Sequence, residues 1–169
     1  MNVIRRSTVL AVLTTLMFCT VLAQQAKPGL LSGDDLKKVV PKDYFFRGLS
    51  ATVQLRNSAG IRLQDGKLVL AGLVDTSGYS ADIQEKYQGL FITEVKLGIE
   101  GSALPPGAYG FGFSKDGKFT VMDVGANDVL SVSAKTDDKL HPAVTLKIVE
   151  DGGAYRLYAG KKWVSLKTQ

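Results

Sequence analysis

Cysteine and histidine are nearly absent from this 169-residue chain, which holds one of each, Cys19 and His141. A single cysteine forms no internal disulfide, and zinc sites built on several cysteines or histidines are excluded. A Ser-His-Asp relay would have to use His141, which stands in KLHPAV beside a proline with no G-x-S-x-G elbow to partner it. Walker and dinucleotide fingerprints are also missing, since GFGFSKDG reads as a strand and turn rather than a phosphate loop. Charge is modest: 21 basic residues against 16 acidic ones give +5, without a Lys/Arg block. Nucleic-acid binding needs a denser basic face. After the first 25 residues no apolar run is long enough to span a membrane.

What is present begins with MNVIRRSTVLAVLTTLMFCTVLAQQ. Arg5 and Arg6 make a short basic region, and Val9 to Leu22 is an apolar stretch of signal-peptide length. Val21-Leu22-Ala23 places cleavage after Ala23, so residues 1–23 read as a signal peptide. The competing readings are an uncleaved anchor and lipidation at Cys19. A lipoprotein signal wants small residues before its cysteine, and here they are Met17 and Phe18. Cleavage would leave a cysteine-free chain from Gln24 with 19 basic and 16 acidic residues, net +3, secreted or periplasmic. The membrane is then a partner only through the signal peptide before cleavage.

Residues 24–43 read as a linker and one short helix. Ser32 and Asp35 have capping-box spacing, and Pro41 ends the helix predicted over Asp34 to Val39. Residues 44–169 read as a single β domain. Asp65-Gly66, Asp116-Gly117 and Asp151-Gly152 each separate apolar runs, and Gly160-Lys161 offers a fourth turn. Two-residue turns at these dipeptides predict specific partners. Leu63 meets Leu68, Ile61 meets Leu70 and Arg62 meets Val69 at the first. Phe111 meets Met122, Phe113 meets Thr120, Gly112 meets Val121 and Gly110 meets Asp123 at the second. Ile148 meets Tyr155 and Leu146 meets Leu157 at the third; Leu157 meets Val164 and Tyr155 meets Leu166 at the fourth. QDGKLVL and KDGKFTV are alike through shared turn chemistry rather than duplication. One long strand is expected through LFITEVKLGIE, with others at Ala51 to Arg56 and Val129 to Ser133. About nine strands result. The expected fold is all-β, a two-sheet antiparallel sandwich, with a closed barrel as second choice.

In LPPGAYGFGFSKD, Tyr109, Phe111 and Phe113 alternate with Ala108, Gly110 and Gly112. The expectation is an aromatic core face, shared with Met122, and a bare glycine face covered by Phe119. The alternative is a shallow ligand groove over Gly110 and Gly112 with Asp123 at its edge. Together EVKLGIEGSALPPGAYGFGF, the hairpin after it, and VLSVSAKTDDKLHPAVTLKIVEDGGAYRLYAGKKWVSLK resemble a family of exported bacterial β-sandwich domains of unknown function. The similarity covers roughly Glu94 to Lys167 and is most specific at Leu104, Pro105, Gly107 and Tyr109. It implies the sandwich and carries no activity.

Two regions are candidates for function. The connection Asp75 to Gln88 holds Tyr79 and Tyr87 among polar residues, a composition suited to adaptable contact, together with Asp82 and Glu85. These two carboxylates share a face if the loop contains a helical turn, and with Asp75 and Glu94 they would serve acid–base chemistry. Solvated charges are the plainer reading. The same residues, or Asp123, Asn127 and Asp128, offer oxygen ligands for calcium but lack EF-hand spacing. The second region is a face carrying Arg156, Tyr158 and Trp163 with Lys147, which would stack on sugar rings, meet a partner, or be covered by Phe45 and Phe46. No catalytic residue, metal or cofactor is assigned. The sequence therefore reads as a non-enzymatic binding or envelope-associated module whose partner is a protein or an envelope glycan, without nucleic acid. The alternatives are a carboxylate-dependent hydrolase and a lipocalin-like small-molecule carrier.

Overall fold

A computed structural model describes residues 27–169, so the signal-peptide reading lies outside the described residues. The fold is a two-sheet antiparallel sandwich and not a closed barrel. Fourteen strands are present among the described residues rather than nine, because one expected strand is divided and short strands at Gly29–Leu30, Asp43–Phe46, Ser102–Leu104 and Lys135–Thr136 are added.

The first sheet is built from β1 (Gly29–Leu30), β2 (Asp43–Phe46), β3 (Leu49–Arg62), β4 (Leu68–Val74) and β5 (Gly89–Thr93), then β8 (Gly107–Phe113), β9 (Lys118–Met122) and β10 (Asp128–Ser133). Its order is β1-β3-β4-β5-β8-β9-β10, with β2 paired to the first half of β3. The second sheet holds β6 (Leu97–Ile99), β7 (Ser102–Leu104), β11 (Lys135–Thr136), β12 (Val144–Asp151), β13 (Ala154–Gly160) and β14 (Lys162–Thr168). There the order is β12-β13-β14-β6-β7, and β11 also pairs with β14.

The expected long strand through Leu90 to Glu100 is two strands in different sheets. The buried Thr93 hydroxyl donates to the Val95 carbonyl at 2.7 Å, closing the bend where the chain crosses over. This crossing lets Phe91 and Ile99 enter one core from opposite sheets.

Hairpin register is corrected at three of the four turns. Asp65-Gly66 and Asp116-Gly117 sit in three-residue loops, where Leu63 N–H donates to Lys67 O and Ser114 N–H to Lys118 O. Gly66 and Gly117 take φ of +85° and +81°, the left-handed position that follows a type I turn. The extra residue moves every partner by one: Ile61 meets Val69, Arg62 meets Leu68, Phe111 meets Val121 and Phe113 meets Phe119. The third turn is Gly152-Gly153, both at positive φ, so Ile148 meets Leu157. Only the last hairpin keeps its expected pairs, Leu157 with Val164 and Tyr155 with Leu166.

The corrected register explains the bare strand face differently. Phe111, Phe113 and Phe119 all point between the sheets, into a core with Phe91, Val121, Leu157 and Val164. Phe119 therefore does not cover the glycines, and Met122 faces away from these aromatics, beside Gly110. A second core lies on the glycine side: Tyr44, Phe46, Tyr79, Ile83, Tyr87, Leu90 and Met122. It is roofed by the β2–β3 hairpin and by a helix inside the Asp75 to Gln88 connection. With α1 (Gly33–Val39), capped by Ser32 as the spacing predicts, α2 (Ala81–Lys86) makes two helices among the described residues rather than one.

A Cβ at Gly110 would lie 2.5 Å from the Phe46 ring, and one at Gly112 would collide with the Lys86 carbonyl oxygen. The groove alternative is therefore filled by the protein itself. Tyr109 supplies a further reason for its motif. Its hydroxyl donates to the Pro105 carbonyl at 3.0 Å, and a Cβ at Gly107 would stand 2.7 Å from that hydroxyl. The Leu-Pro-x-Gly-x-Tyr pattern is thus a corner, with Leu104 fully buried as its anchor.

Gly112→Ala is expected to cost about 1–3 kcal/mol through this backbone collision. Gly33→Ala, with nothing within 4 Å of the added carbon, should stay within about 0.5 kcal/mol. Urea unfolding of both variants checks the pair; equal stability would show that α2 does not rest on β8.

Candidate functional site

The structure separates the two candidate regions. In the first, Tyr79, Ile83 and Tyr87 recur every four residues and are all buried, so they bind α2 to the sheet rather than contact a partner. Tyr87 stacks on Phe46 with ring centres 3.9 Å apart, and the Tyr79 hydroxyl donates to the Phe46 carbonyl at 3.0 Å. Burial, with Asp123 nearby, pushes the Tyr44 phenol in the same cluster up to about 12. Gln88 then ties the end of this segment to β8: its Nε2 donates to Phe113 O at 3.0 Å, and Phe113 N–H donates to its Oε1 at 2.9 Å.

The carboxylates of this region do not converge. Asp75 accepts from Ser77 N–H at 3.0 Å, as a turn cap. Asp82 and Glu85 are exposed on α2, with Glu85 4.0 Å from Lys115. Glu94 lies at the far end of β5, where it accepts from Leu68 N–H at 2.7 Å. Glu85 does line an open cleft of about 750 Å³ with Asp116 and Asp128. A hydrolase acid needs a raised carboxyl pKa, whereas the Ser114 hydroxyl, with Lys118, holds the Asp116 carboxyl below its ordinary value. Asp123 accepts from the Gly125 and Asn127 backbone at 2.8 and 3.0 Å, which makes it a turn cap as well. Among the described residues no group of three His, Cys, Asp or Glu side chains is placed to hold a metal.

The second region is brought together. Pairing across β12, β13, β14 and β11 sets Lys147, Tyr158, Trp163 and Lys135 in one row. Directly opposed residues share a sheet face, and strands about 4.8 Å apart make the row about 14 Å long. Phe46 is buried beside α2 and Phe45 is 59% exposed on the other sheet, so neither covers this row. Tyr158 is buried while Trp163 is partly exposed, with their rings 6.0 Å apart and 27° from parallel. The Arg156 guanidinium lies 4.2 Å from the indole centre and the Lys135 ammonium 4.8 Å from it.

The two cations beside the indole are each held by a carboxylate. Asp151 accepts from Arg156 Nε and Nη2 at 2.8 and 2.6 Å. Glu100 lies 2.7 Å from Lys135, and its other oxygen accepts from Ser165 N–H at 2.6 Å. Asp137 accepts from the Tyr158 hydroxyl at 3.3 Å. Lys147, exposed at the end of the row, has no ion pair among the described residues. Lys135, Glu100 and Asp137 escape sequence reasoning because the pairing of two-residue β11 with β14 leaves no periodic signal. Glu100 also adopts φ +47°, a conformation costly for a side-chain residue, in the turn between β6 and β7. No family model, curated protein or solved structure matches this chain.

Burial pushes the Glu100 carboxyl up, but Lys135 and the Ser165 N–H outweigh it and hold the group below its ordinary value. A depressed folded value contributes stability that is present above the unfolded value and lost as pH falls through the folded one. Glu100→Gln should therefore lower stability at neutral pH and flatten the decline toward acid. Urea unfolding across a pH series checks this, and an unchanged profile would show that the pair carries no stability.

Proposed function

We propose that this protein is an exported, non-enzymatic binding module, and that the row from Lys147 to Lys135 recognises an extended acidic glycan of the cell envelope. The row itself is the observation that carries the reading. Cations stand at both ends and over the indole, and the aromatic pair lies between them. An acidic polysaccharide offers the complement: sugar rings for the exposed part of Trp163 and carboxylates for Lys135, Lys147 and Arg156. Asp151 and Glu100 fix Arg156 and Lys135 before the ligand arrives, which reduces the ordering cost of binding.

The export half of this reading rests on the N-terminal basic and apolar segments. A mature N-terminus at Gln24, seen by intact mass, would support it; diacylglyceryl on Cys19 would replace it with a lipid-anchored protein.

Trp163 is the single tryptophan of the chain, so its fluorescence reports on the site without labelling. Titration with polygalacturonate should give a saturable emission change that weakens with salt, because exposed charges are screened. Dextran should give none, and Lys135→Ala with Lys147→Ala should lose most of the affinity. An acidic polymer that leaves Trp163 emission unchanged at low salt would overturn the glycan reading.

A further inference from the structure

The end of the sandwich beside α2 holds a second feature, separate from the outer row. Here the two sheets part around a cleft of about 550 Å³, the size of a small-molecule site. The parting has a local cause. Ala159 and Gly160 end β13 where larger residues would fill the gap, and the strands on both sides are irregular. In β3 the ladder shifts register between Val53 and Ser58, and in β12 between Val144 and Lys147. Gln54 and Thr145, one from each irregular stretch, both line the cleft. Bulges of this kind re-aim side chains and concentrate beside functional sites.

The lining is chemically one-sided. Lys161 and Lys162 contribute positive charge, and no Asp or Glu contributes negative charge. Thr76, Thr136, Thr145 and Gln84 add hydroxyls and a carboxamide, while Leu73 and Phe113 provide apolar wall. Lys162 is fixed by donating its ammonium to the Ser114 carbonyl, and the Lys161 ammonium lies 3.4 Å from His141 Nε2. An ammonium has three donors, so each lysine keeps hydrogen-bonding capacity for a ligand.

We propose that this cleft binds a small hydroxylated carboxylate of monosaccharide size. Its carboxylate pairs with Lys161 and Lys162, its hydroxyls meet the threonines and Gln84, and its ring rests against Leu73 and Phe113. Alternation along β14 turns Lys162 toward the cleft and Trp163 toward the outer row, so the two sites share a strand but no side chain.

The test is an amide-resolved NMR titration with glucuronate, using protein recovered from the exported fraction, and with glucose and acetate as controls. Saturable shifts confined to Thr136, Thr145 and Gly160 to Lys162 are expected, with glucose at least roughly tenfold weaker because it offers no carboxylate. Lys161→Gln should weaken glucuronate by a similar factor. Thr145→Val, at an exposed residue, is the second variant and should also weaken it. Trp163→Phe should leave the glucuronate shifts of Thr136, Thr145 and Gly160 to Lys162 unchanged, which separates failure here from failure of the outer row. Absence of saturation by glucuronate, shifts confined to the Trp163 row, or equal binding by wild type, Lys161→Gln and Thr145→Val would each overturn the proposal.

Discussion

Close approach of a second layer to the bare face of β8 is the constraint on which the rest of this structure depends. Gly110 admits the Phe46 ring and Gly112 admits the Lys86 backbone, at separations that a methyl group would forbid. Because of this, the first sheet is buried on both faces: Phe111 and Phe113 turn inward to the second sheet while Phe46, Tyr79 and Tyr87 seal the outside. Aromatic stacking and the buried area of these rings then hold α2 in place. The position of α2 in turn sets Gln84 and Gln88 at the mouth between the sheets, where the cleft opens. A local absence of side chains thus organises both the second core and the surface next to it.

Much of the fold was legible because turns and alternation are local. Ser32 with Asp35 marked a helix start, and glycine-containing turns marked the hairpins. Register was less legible, for a physical reason. Asp-Gly serves both a two-residue turn and a three-residue loop with glycine in the left-handed position. At Asp116-Gly117 either register sets an apolar residue, Met122 or Val121, opposite Phe111, so the pattern does not choose between them. The last hairpin was readable because Gly160 opens a true two-residue turn, and the face holding Arg156, Tyr158 and Trp163 followed from it.

The same division runs through the candidate sites. Tyr79 and Tyr87 looked like loop residues because their segment is polar overall, yet Tyr79, Ile83 and Tyr87 at four-residue intervals were already a helical apolar stripe. Lys135 and Glu100 left no such trace. Their contacts with Trp163 and Ser165 span 28 and 65 residues of chain and depend on tertiary pairing alone. The outer row and the cleft both lie around β14, with side chains alternating between them. This arrangement presents cations on two surfaces of one sheet, held by carboxylates at Lys135 and Arg156 on one and by a backbone carbonyl at Lys162 on the other.

Native-state hydrogen exchange tests the two-face burial of the first sheet most directly. Tyr87 and Gln88 N–H donate to Ile83 and Phe111 carbonyls, so they report on the α2 layer, while Phe111 and Val121 report on the sheet beneath it. If the glycine face joins the layers into one cooperative unit, these amides open with the same free energy and the same denaturant dependence. Exchange of Tyr87 and Gln88 through a small local opening, with the β8–β9 amides still protected, would contradict the account.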